Sequence, residues 1–422
     1  MTKSFVLHKQ IDLPDTNALP FLVDRFSRAV YWENEQESFV GLGVAAAVGP
    51  AQDGFVPLAA QAAPFFTSFS EAEQGGALRF FGGANFGGLL PKYWADFGSS
   101  CFVFPRLQLL LQNDCCTARV FFLPQDTDSQ RKYWRCQWEN LEQTLQEKSP
   151  VALRENTLQQ QTSSPDANRW KELIGDILSR IQRGEAQKIV AARQVRLEFA
   201  HPLPAGEILS RLRVFLPACT VFLFKTGASC FLGATPETLV RKQAGKVYSE
   251  ALAGTAPLSC DRTAFLADTK ERQEHACVLE HICGQLRPYC AGVRAPDVPV
   301  LRELSHLVHL CSPVQASLKT DMHILRLAEL LHPTPAICGF PVNKARTWIC
   351  DVEMAGRGWY SGPVGWFDAQ GNGDFRVALR CALLRERTAR LYAGAGIVQG
   401  SQADKEFQET ETKLHAMRSI LG

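Results

Sequence analysis

KIVAARQVRLEF (188–199) begins the part of the chain that indicates the fold class. It is followed by EILSRLRVFLP (207–217), VFLFKTG (221–227) and SCFLGATPETLVRK (229–242). The first, third and fourth segments are predicted as strands, because they are apolar and rich in β-branched and aromatic residues, and the second is predicted as a helix. The strands follow one another in antiparallel runs with helices inserted between them. We therefore expect an α+β fold and not a doubly wound parallel sheet.

The same alternation of strands and helices continues towards the C-terminus. Helical spacing of apolar residues predicts helices at 260–286, 322–332 and 402–421. A late β region is predicted from the segments TWICDVEM (347–354), YSGPVGWFD (360–368), DFRVALRCALLRE (374–386) and RLYAGAGIV (390–398). Helices near both ends of this region would flank the sheets.

Residues 1 to about 145 contain short apolar runs that are punctuated by Gly and Pro, which predicts antiparallel strands. The polar segment NTLQQQTSSPDANR (156–169) is predicted as a connection, and a helix follows it from Trp170 to Gln182. We expect residues 1–155 to form a β-rich N-terminal part that completes the sheet assembly of residues 165–422. Both parts would then form one structural domain.

Composition excludes several classes of partner. The chain has 422 residues, with 45 Lys and Arg against 43 Asp and Glu, so no basic surplus favours nucleic acid or an anionic membrane. The N-terminus lacks an apolar core of signal-peptide length, and no stretch approaches the roughly 20 apolar residues of a membrane helix. We therefore expect a soluble, cytoplasmic protein.

The chain contains 14 cysteines, but their spacing forms no metal-ligand framework and no C-x-x-C occurs. Cys115 and Cys116 are adjacent, and Cys277 and Cys283 are six residues apart. In the cytosol such thiols remain reduced and pack as small apolar side chains. A structural zinc site is therefore not favoured.

Two Glu-x-x-Glu pairs point to a divalent cation. Glu271 and Glu274 lie in KERQEH, and Glu406 and Glu409 lie in KEFQET. At three-residue spacing on a helix both carboxylates of a pair face the same way, so two such helices would offer up to four hard oxygen ligands. The sequence thus predicts a Mg²⁺ site. The alternative for either pair alone is a solvent-facing helix turn beside the neighbouring Lys and Arg residues.

Two residues are candidates for proton transfer. Lys188 opens an apolar strand, where partial desolvation would lower its pKa and allow it to act as a general base. Glu237 follows an apolar strand and a proline, and a carboxyl in such a pocket would stay protonated and could act as a general acid. The alternatives are a solvated lysine at the start of a strand and an ordinary turn residue.

Three further positions could bind a substrate carboxylate. Arg380 is predicted within the apolar strand VALRCALL and needs an anionic partner, and Lys413 lies one helical turn beyond Glu409. In GAGIVQG (394–400), Gly394 would let backbone N–H groups approach an anion closely, because it has no side chain. The alternatives are an internal glutamate as the partner of Arg380 and a tight turn at the glycines.

Eight motifs occur in order over residues 165–422: KIVAAR, GATPETL, ALAGTA, KERQEH, HPTPAICGFP, ALRCALL, LYAGAGIV and EFQETETKL. Together they resemble the chorismate-utilising enzyme family and, within it, the isochorismate synthases. The resemblance covers about sixty per cent of the chain. It implies one large domain with two packed, mainly antiparallel β-sheets that are flanked by helices.

The resemblance also implies roles for individual residues. Glu274 and Glu409 would bind Mg²⁺ directly, with Glu271 and Glu406 supporting the site. Lys188 would activate the attacking water and Glu237 would protonate the departing hydroxyl. The substrate, chorismate, would be held by Gly254, Thr255, His306, Arg380, Tyr392, Gly394 and Lys413.

The implied activity is that of an isochorismate synthase, a reversible Mg²⁺-dependent isomerase that feeds menaquinone synthesis. Salicylate synthases also keep the base, so a salicylate synthase and an isochorismate synthase of a siderophore pathway remain alternatives. Anthranilate synthases lack a lysine where Lys188 stands, so no obligatory glutaminase partner is expected. Aminodeoxychorismate synthases carry a nucleophilic lysine where this chain has Ala253. A non-catalytic chorismate-binding protein is disfavoured, because the base and the acid are both present.

Overall fold

The computed structural model describes residues 4–13, 15–50, 54–69, 78–146, 156–304, 307–353 and 355–422. The strands are β1 (Phe5–Ile11), β2 (Arg28–Glu33), β3 (Ser38–Leu42), β4 (Ala46–Val48), β5 (Arg79–Ala84), β6 (Ser100–Phe104), β7 (Leu107–Gln112), β8 (Cys115–Phe122), β9 (Leu158–Ser164), β10 (Lys188–Phe199), β11 (Thr220–Thr226), β12 (Ser229–Thr235), β13 (Thr238–Gln243), β14 (Lys246–Pro257), β15 (Cys290–Arg294), β16 (Val300–Glu303), β17 (Leu307–Leu318), β18 (Gly339–Phe340), β19 (Pro363–Asp368), β20 (Gly373–Val377), β21 (Cys381–Arg385) and β22 (Thr388–Val398). The helices are α1 (Val56–Phe66), α2 (Asp128–Glu139), α3 (Leu141–Gln146), α4 (Ala167–Gln182), α5 (Ala205–Phe215), α6 (Arg262–Ala267), α7 (Thr269–Leu286), α8 (Ile324–Leu331), α9 (Val342–Val352) and α10 (Ala403–Leu421), with 3₁₀ turns at Thr16–Arg25 and Lys92–Trp94.

The strands form two antiparallel sheets. In the described residues, the first sheet has 12 strands in the order β1-β8-β7-β3-β2-β11-β12-β21-β22-β10-β18, with β9 also paired to β10. The second has 10 strands in the order β15-β17-β14-β13-β20-β19-β5-β6-β4, with β16 also paired to β17. Strands that precede residue 123 contribute to both sheets, so the N-terminal third and the rest of the chain build the same scaffold.

An aromatic cluster packs between the sheets. It includes Trp32 and Phe231 from the first sheet and Phe81 from the second, together with Trp94 and Trp359 from connecting segments. All five side chains are almost completely buried. Burying such large apolar surfaces is the main favourable contribution to docking the sheets. The expected fold class, α+β with two packed antiparallel sheets flanked by helices, is confirmed.

Helices cover the outer faces. On α4, the residues Trp170, Ile174, Ile177 and Ile181 are buried at spacings of three and four, and the Asp166 side chain caps the first turn. Helices α4 and α10 contact each other and β22 of the first sheet, whereas α7 packs against β14 and β17 of the second. This arrangement brings the N-terminal halves of α7 and α10, which carry the two Glu-x-x-Glu pairs, to one end of the sheets.

Some predicted elements differ from the structure. The strand predicted at 347–354 is wrong, because Ala345, Trp348 and Ile349 form one buried helical stripe on α9. The connection predicted at 156–169 contains the strand β9, which pairs with β10 although its side chains are mostly exposed. The helix predicted at 260–286 is divided at Asp268, whose side chain caps α7.

The structure bears on two expectations from composition, those on membrane helices and on the cysteines. Within the described residues, every helix is too short or too polar to span a bilayer. All 14 cysteines are described, and all are free thiols.

Candidate active site

A cavity lies where the two sheets and the helices α7 and α10 meet. Its walls include Val190 and Gly396 from the first sheet, Thr255 from the second, and residues of both helices. The cavity holds most of the residues that the sequence predicted: Glu237, Gly254, Thr255, Glu271, Glu274, Arg380, Tyr392, Gly394, Glu406, Glu409 and Lys413. Residues from nearly the whole second half of the chain therefore converge on one site.

Lys188 lies directly behind the cavity wall. It is only 4% exposed, and its Nζ donates a 2.8 Å hydrogen bond to Oε1 of Glu274, which does line the cavity. Gly396 lines the cavity above it, and a Cβ there would lie 2.8 Å from Cε of Lys188. A side chain at position 396 would therefore stand between Lys188 and the cavity.

Glu237 lies where the chain passes between the sheets. The residue is 4% exposed and follows β12 of the first sheet, and β13 of the second sheet begins immediately after it. Burial raises the pKa of Glu237 to about 8, the negative charge of Glu250 adds to the rise, and Lys188 offsets part of it. Glu237 is therefore a neutral carboxylic acid at neutral pH and can donate a proton.

Glu250 keeps its own charge because Arg302 binds it. Arg302 Nη1 donates to Oε1 of Glu250 at 2.7 Å, and the backbone N–H of Thr238 donates to the same oxygen at 3.0 Å. Burial opposes ionisation of Glu250, but the hydrogen bond and charge of Arg302 outweigh it and lower the pKa of Glu250 below its usual value. One buried carboxyl is thus held ionised beside another that is held neutral.

The bulge at Gly254 and Thr255 in β14 binds the first glutamate of α7. The Thr255 backbone N–H donates to Oε2 of Glu271 at 3.0 Å, at a bulge where the register of β14 against β17 shifts. Gly254 has φ +78, in the left-handed region, and a Cβ there would lie 3.3 Å from the same oxygen. Glycine is therefore required by conformation as well as by the close approach of Glu271.

The second Glu-x-x-Glu pair is held by β22 and by its own helix. Lys413 Nζ donates to Oε1 of Glu409 at 2.7 Å and to the carbonyl oxygen of Gly394 at 2.9 Å. Ser401 hydrogen-bonds Glu406. Gly394 has no room for a side chain, because a Cβ would lie 2.9 Å from the Ala191 carbonyl oxygen.

Arg380 is not inside a strand, so that prediction is wrong. It lies between β20 and β21 with φ +44, and this break in the β ladder turns the residue into the cavity wall. Burial lowers the pKa of Arg380. Within the described part of the chain its guanidinium makes no hydrogen bond or ion pair, so a fixed positive charge remains available to an anion.

Tyr392 lines the cavity with its ring. The hydroxyl of Tyr392 accepts a 3.2 Å hydrogen bond from Trp94 Nε1, and the ring stacks on Tyr360 with centroids 5.2 Å apart. Both tyrosines line the cavity and a neighbouring one as well. The stacked pair therefore forms a rigid partition beside the site.

The four glutamates suit a hard divalent cation by their chemistry. Burial raises the pKa of Glu271 and the charge of Glu274 adds to it; burial likewise raises the pKa of Glu406, with a further contribution from Glu409. This excess of negative charge is what a bound cation would relieve. In the described residues, however, no three Asp, Glu, His or Cys side chains are grouped closely enough to hold a metal, since each glutamate is bonded to the protein.

One predicted residue, His306, lies outside the described residues. Among the residues that line the cavity is a histidine that was not predicted from the sequence, His309 on β17. Its Nδ1 lies 3.0 Å from Thr255 Oγ1. Burial lowers the pKa of His309 to about 3, with the charges of Arg380 and Lys413 contributing, so the ring is neutral. His309 pairs with Thr255 across β14 and β17, and this pairing is known only once the strand register is known.

Comparisons with known proteins identify the family of this chain. The chain matches the sequence profile of the family described as chorismate binding enzyme over residues 3–422. It is 39% identical over 267 residues to the salicylate biosynthesis isochorismate synthase of Pseudomonas aeruginosa, and 36% identical over 264 residues to the isochorismate synthase MenF of Bacillus subtilis. The alignments cover 62% and 61% of this chain, but only 56% of each relative's length.

The fold also matches a solved structure. The menaquinone-specific isochorismate synthase MenF of Escherichia coli superposes with a TM-score of 0.84 at 27% identity, over 99% of this chain and 95% of the other. The family profile covers nearly the full chain, and the superposition extends through the N-terminal strands. The chain therefore belongs to the chorismate binding enzyme family.

Proposed function

We propose that this protein is an isochorismate synthase, which converts chorismate into isochorismate by moving the ring hydroxyl from C4 to C2. The observation that carries the proposal is the pairing of Glu237, an acid that stays protonated near neutral pH, with Lys188 behind the wall of the same cavity. A reaction that adds one hydroxyl and expels another needs such an acid and such a base. Similarity to enzymes named isochorismate synthase supports the same assignment.

The step follows from these two groups. A water molecule beside Gly396 attacks C2 while Lys188 takes its proton. The ring double bond shifts, the C4–O bond breaks, and Glu237 gives its proton to the departing oxygen, which leaves as water. Substrate and product are isomers that differ in the positions of one hydroxyl and of the ring double bonds, so the reaction is reversible with a modest equilibrium constant.

The substrate carries two carboxylates, and the cavity offers matching cations. Arg380 supplies a charge that has no partner among the described residues, and Lys413, which is paired with Glu409, supplies a second one beside Gly394. Tyr392, His309 and Thr255 complete the walls. We assign Glu274 and Glu409 to Mg²⁺, with Glu271 and Glu406 in support. The bound ion would neutralise the ring carboxylate and orient the ring between acid and base.

The proposed product feeds menaquinone synthesis. Support comes from the superposition over nearly the whole chain on a structure named as a menaquinone-specific isochorismate synthase. The Pseudomonas relative is named for salicylate biosynthesis, which supports the second candidate, supply of isochorismate to a salicylate or siderophore pathway. No glutaminase subunit is needed, because the nucleophile is water.

Incubation of the pure protein with chorismate and Mg²⁺, followed by chromatography of the products, tests the activity. Isochorismate should accumulate until both isomers are present at equilibrium, and the same mixture should form from isochorismate. Salicylate and pyruvate as the only products, or anthranilate formed only with ammonia, would overturn the assignment. Loss of menaquinone from cells that lack the protein, restored by the wild-type chain, would test the pathway.

A further inference from the structure

Strand β10 has a gap along one edge, close to the proposed base. Its other edge pairs with β22 from Lys188 to Glu198. On the gapped edge, β18 pairs only with Lys188 and Ile189, and β9 begins to pair at Gln194. Among the described strands, none pairs with residues 190–193 on this edge. The Val190 N–H donates to the Cys338 carbonyl oxygen at 2.9 Å, just before β18. Buried backbone polar groups normally have partners, so the other groups of this stretch need a different one.

Two side chains hydrogen-bond to the backbone of β10 at this gap, as a neighbouring strand would. Arg357 Nη2 donates to the carbonyl oxygen of Val190 at 2.8 Å, and Oε1 of Glu353 accepts from the Ala192 N–H at 3.2 Å. Arg357 and Glu353 bind each other through two further bonds of 2.7 Å, in the bidentate geometry. The pair thus presents one donor and one acceptor at the places where a neighbouring strand would present its own.

The same guanidinium reaches two other segments of the cavity wall. Arg357 Nη1 donates to the Ile337 carbonyl oxygen at 2.8 Å and lies 3.3 Å from Ser361 Oγ. Ile337 lines the cavity, and so does Tyr360, which directly precedes Ser361. The guanidinium also lies over the ring of Phe86 at 4.3 Å, and only 3% of Arg357 is exposed. One side chain therefore joins three cavity segments.

We propose that Arg357, supported by Glu353, is a positioning residue for the reaction. It fixes Val190, two residues from Lys188 on the same strand face, relative to the wall formed by Ile337 and Tyr360. Arg357 does not itself line the cavity, so it acts through these residues. Its effect on turnover rests on the proposed function, whereas its effect on the edge of β10 does not.

Arg357→Lys tests the proposal, because lysine keeps the charge but cannot make the bidentate bond and reach both carbonyl groups. Arg106→Lys is the matched control: Arg106 is 5% exposed and binds Asp126 at 2.7 Å and the Phe121 carbonyl oxygen at 2.9 Å, away from the cavity. We expect kcat of Arg357→Lys to fall at least tenfold, on the order expected for misplaced catalytic groups, with KM changed less than threefold. Arg106→Lys should lower Tm without changing kcat of the folded protein.

Glu353→Gln serves as a milder second variant if Arg357→Lys folds poorly, and it should lower kcat in the same direction. Backbone amide exchange gives a readout that does not depend on turnover. Both variants should exchange faster than wild type over residues 188–193, and Arg106→Lys should not. Unaltered exchange there, or a kcat loss equal to that of the control, would refute the positioning role. If the wild-type protein does not turn over chorismate but both variants still exchange faster than wild type over residues 188–193, only the proposed function is refuted.

Discussion

Lys188 and Glu274, which are 86 residues apart in the chain, are joined by a 2.8 Å hydrogen bond between Nζ and Oε1. The lysine begins a strand of the first sheet, and the glutamate lies on α7, which packs against the second. The bond therefore crosses the boundary between the two halves of the scaffold. It also connects the proposed base to a carboxylate that we assign to Mg²⁺, so a change at either residue should affect the other.

Replacement of this lysine should stop the reaction. Lys188→Ala removes the proposed base, so we expect kcat to fall at least about 100-fold, as for loss of a general base. The measurement is the rate of isochorismate formation by the folded variant. The control is Lys242→Ala, because Lys242 is 2% exposed and paired with Asp321 but lies outside the cavity. Equal rates in the two variants would contradict the role of Lys188.

Glu237 should make stability depend on pH. Its pKa is about 8 in the folded protein and 4.5 in the reference state, so the unfolded chain gives up the proton first as pH rises. Stability from this group is complete below pH 4.5, is lost progressively between pH 4.5 and about 8, and is constant above that range. The difference in unfolding free energy between Glu237→Gln and wild type should therefore grow over that interval. Denaturant titrations at several pH values measure it, and a constant difference would contradict the raised pKa.

The same carboxyl should limit turnover at high pH. Glu237 must be protonated to assist departure of the hydroxyl, so kcat/KM should decline as pH rises through about 8. The profile is measured with chorismate at fixed ionic strength. A rate that continues to rise well beyond pH 9 would show that the acid is a different group.

Mg²⁺ should stabilise the folded chain through the paired glutamates. A ligand that binds only the folded state adds about 2.7 kcal/mol at a hundredfold excess over Kd, so Tm should rise with Mg²⁺. Glu409→Gln should lose most of that rise. Glu280→Gln is the control, because Glu280 is an exposed residue on α7. A rise in Tm that is the same in all three proteins would place the ion elsewhere.

Gly396→Ala should impair catalysis more than stability. The added Cβ would lie 2.8 Å from Cε of Lys188 and 3.4 Å from Oε1 of Glu274, so the lysine must shift or lose access to the cavity. We expect a loss in kcat of about tenfold or more from this displacement. Gly175→Ala on α4 meets no atom within 4 Å and should leave kcat unchanged. Normal kcat in Gly396→Ala would show that the reaction does not require a residue without a side chain at this position.

Local pattern was sufficient for much of the fold. The strand predicted at 188–199 has the bounds of β10, because its apolar content and its flanking breaks specify it without tertiary information. The helix α9 was missed because its stripe begins at Ala345, before the segment that was interpreted as a strand. The strand β9 could not be recognised, because its exposed polar side chains carry no alternation and only pairing with β10 holds it.

Fewer features of the site than of the fold could be predicted from the sequence. Residue chemistry singled out Lys188, Glu237 and both glutamate pairs, and the structure brings them together, although their roles stay predictions. The conformation of Arg380 could not be predicted, because a left-handed arginine between two strands has no distinct local signal. His309 and Arg357 depend on contacts between distant segments, which one sequence does not reveal.

The passage of the chain at Pro236 and Glu237 has a consequence for folding. The acid belongs to neither sheet, since β12 ends before it in one and β13 begins after it in the other. An intermediate with only one sheet formed would have native strands but no properly placed acid. The proposed acid is therefore placed only when both sheets are docked, so the proposed activity would report on the docking of the sheets as well as on their formation.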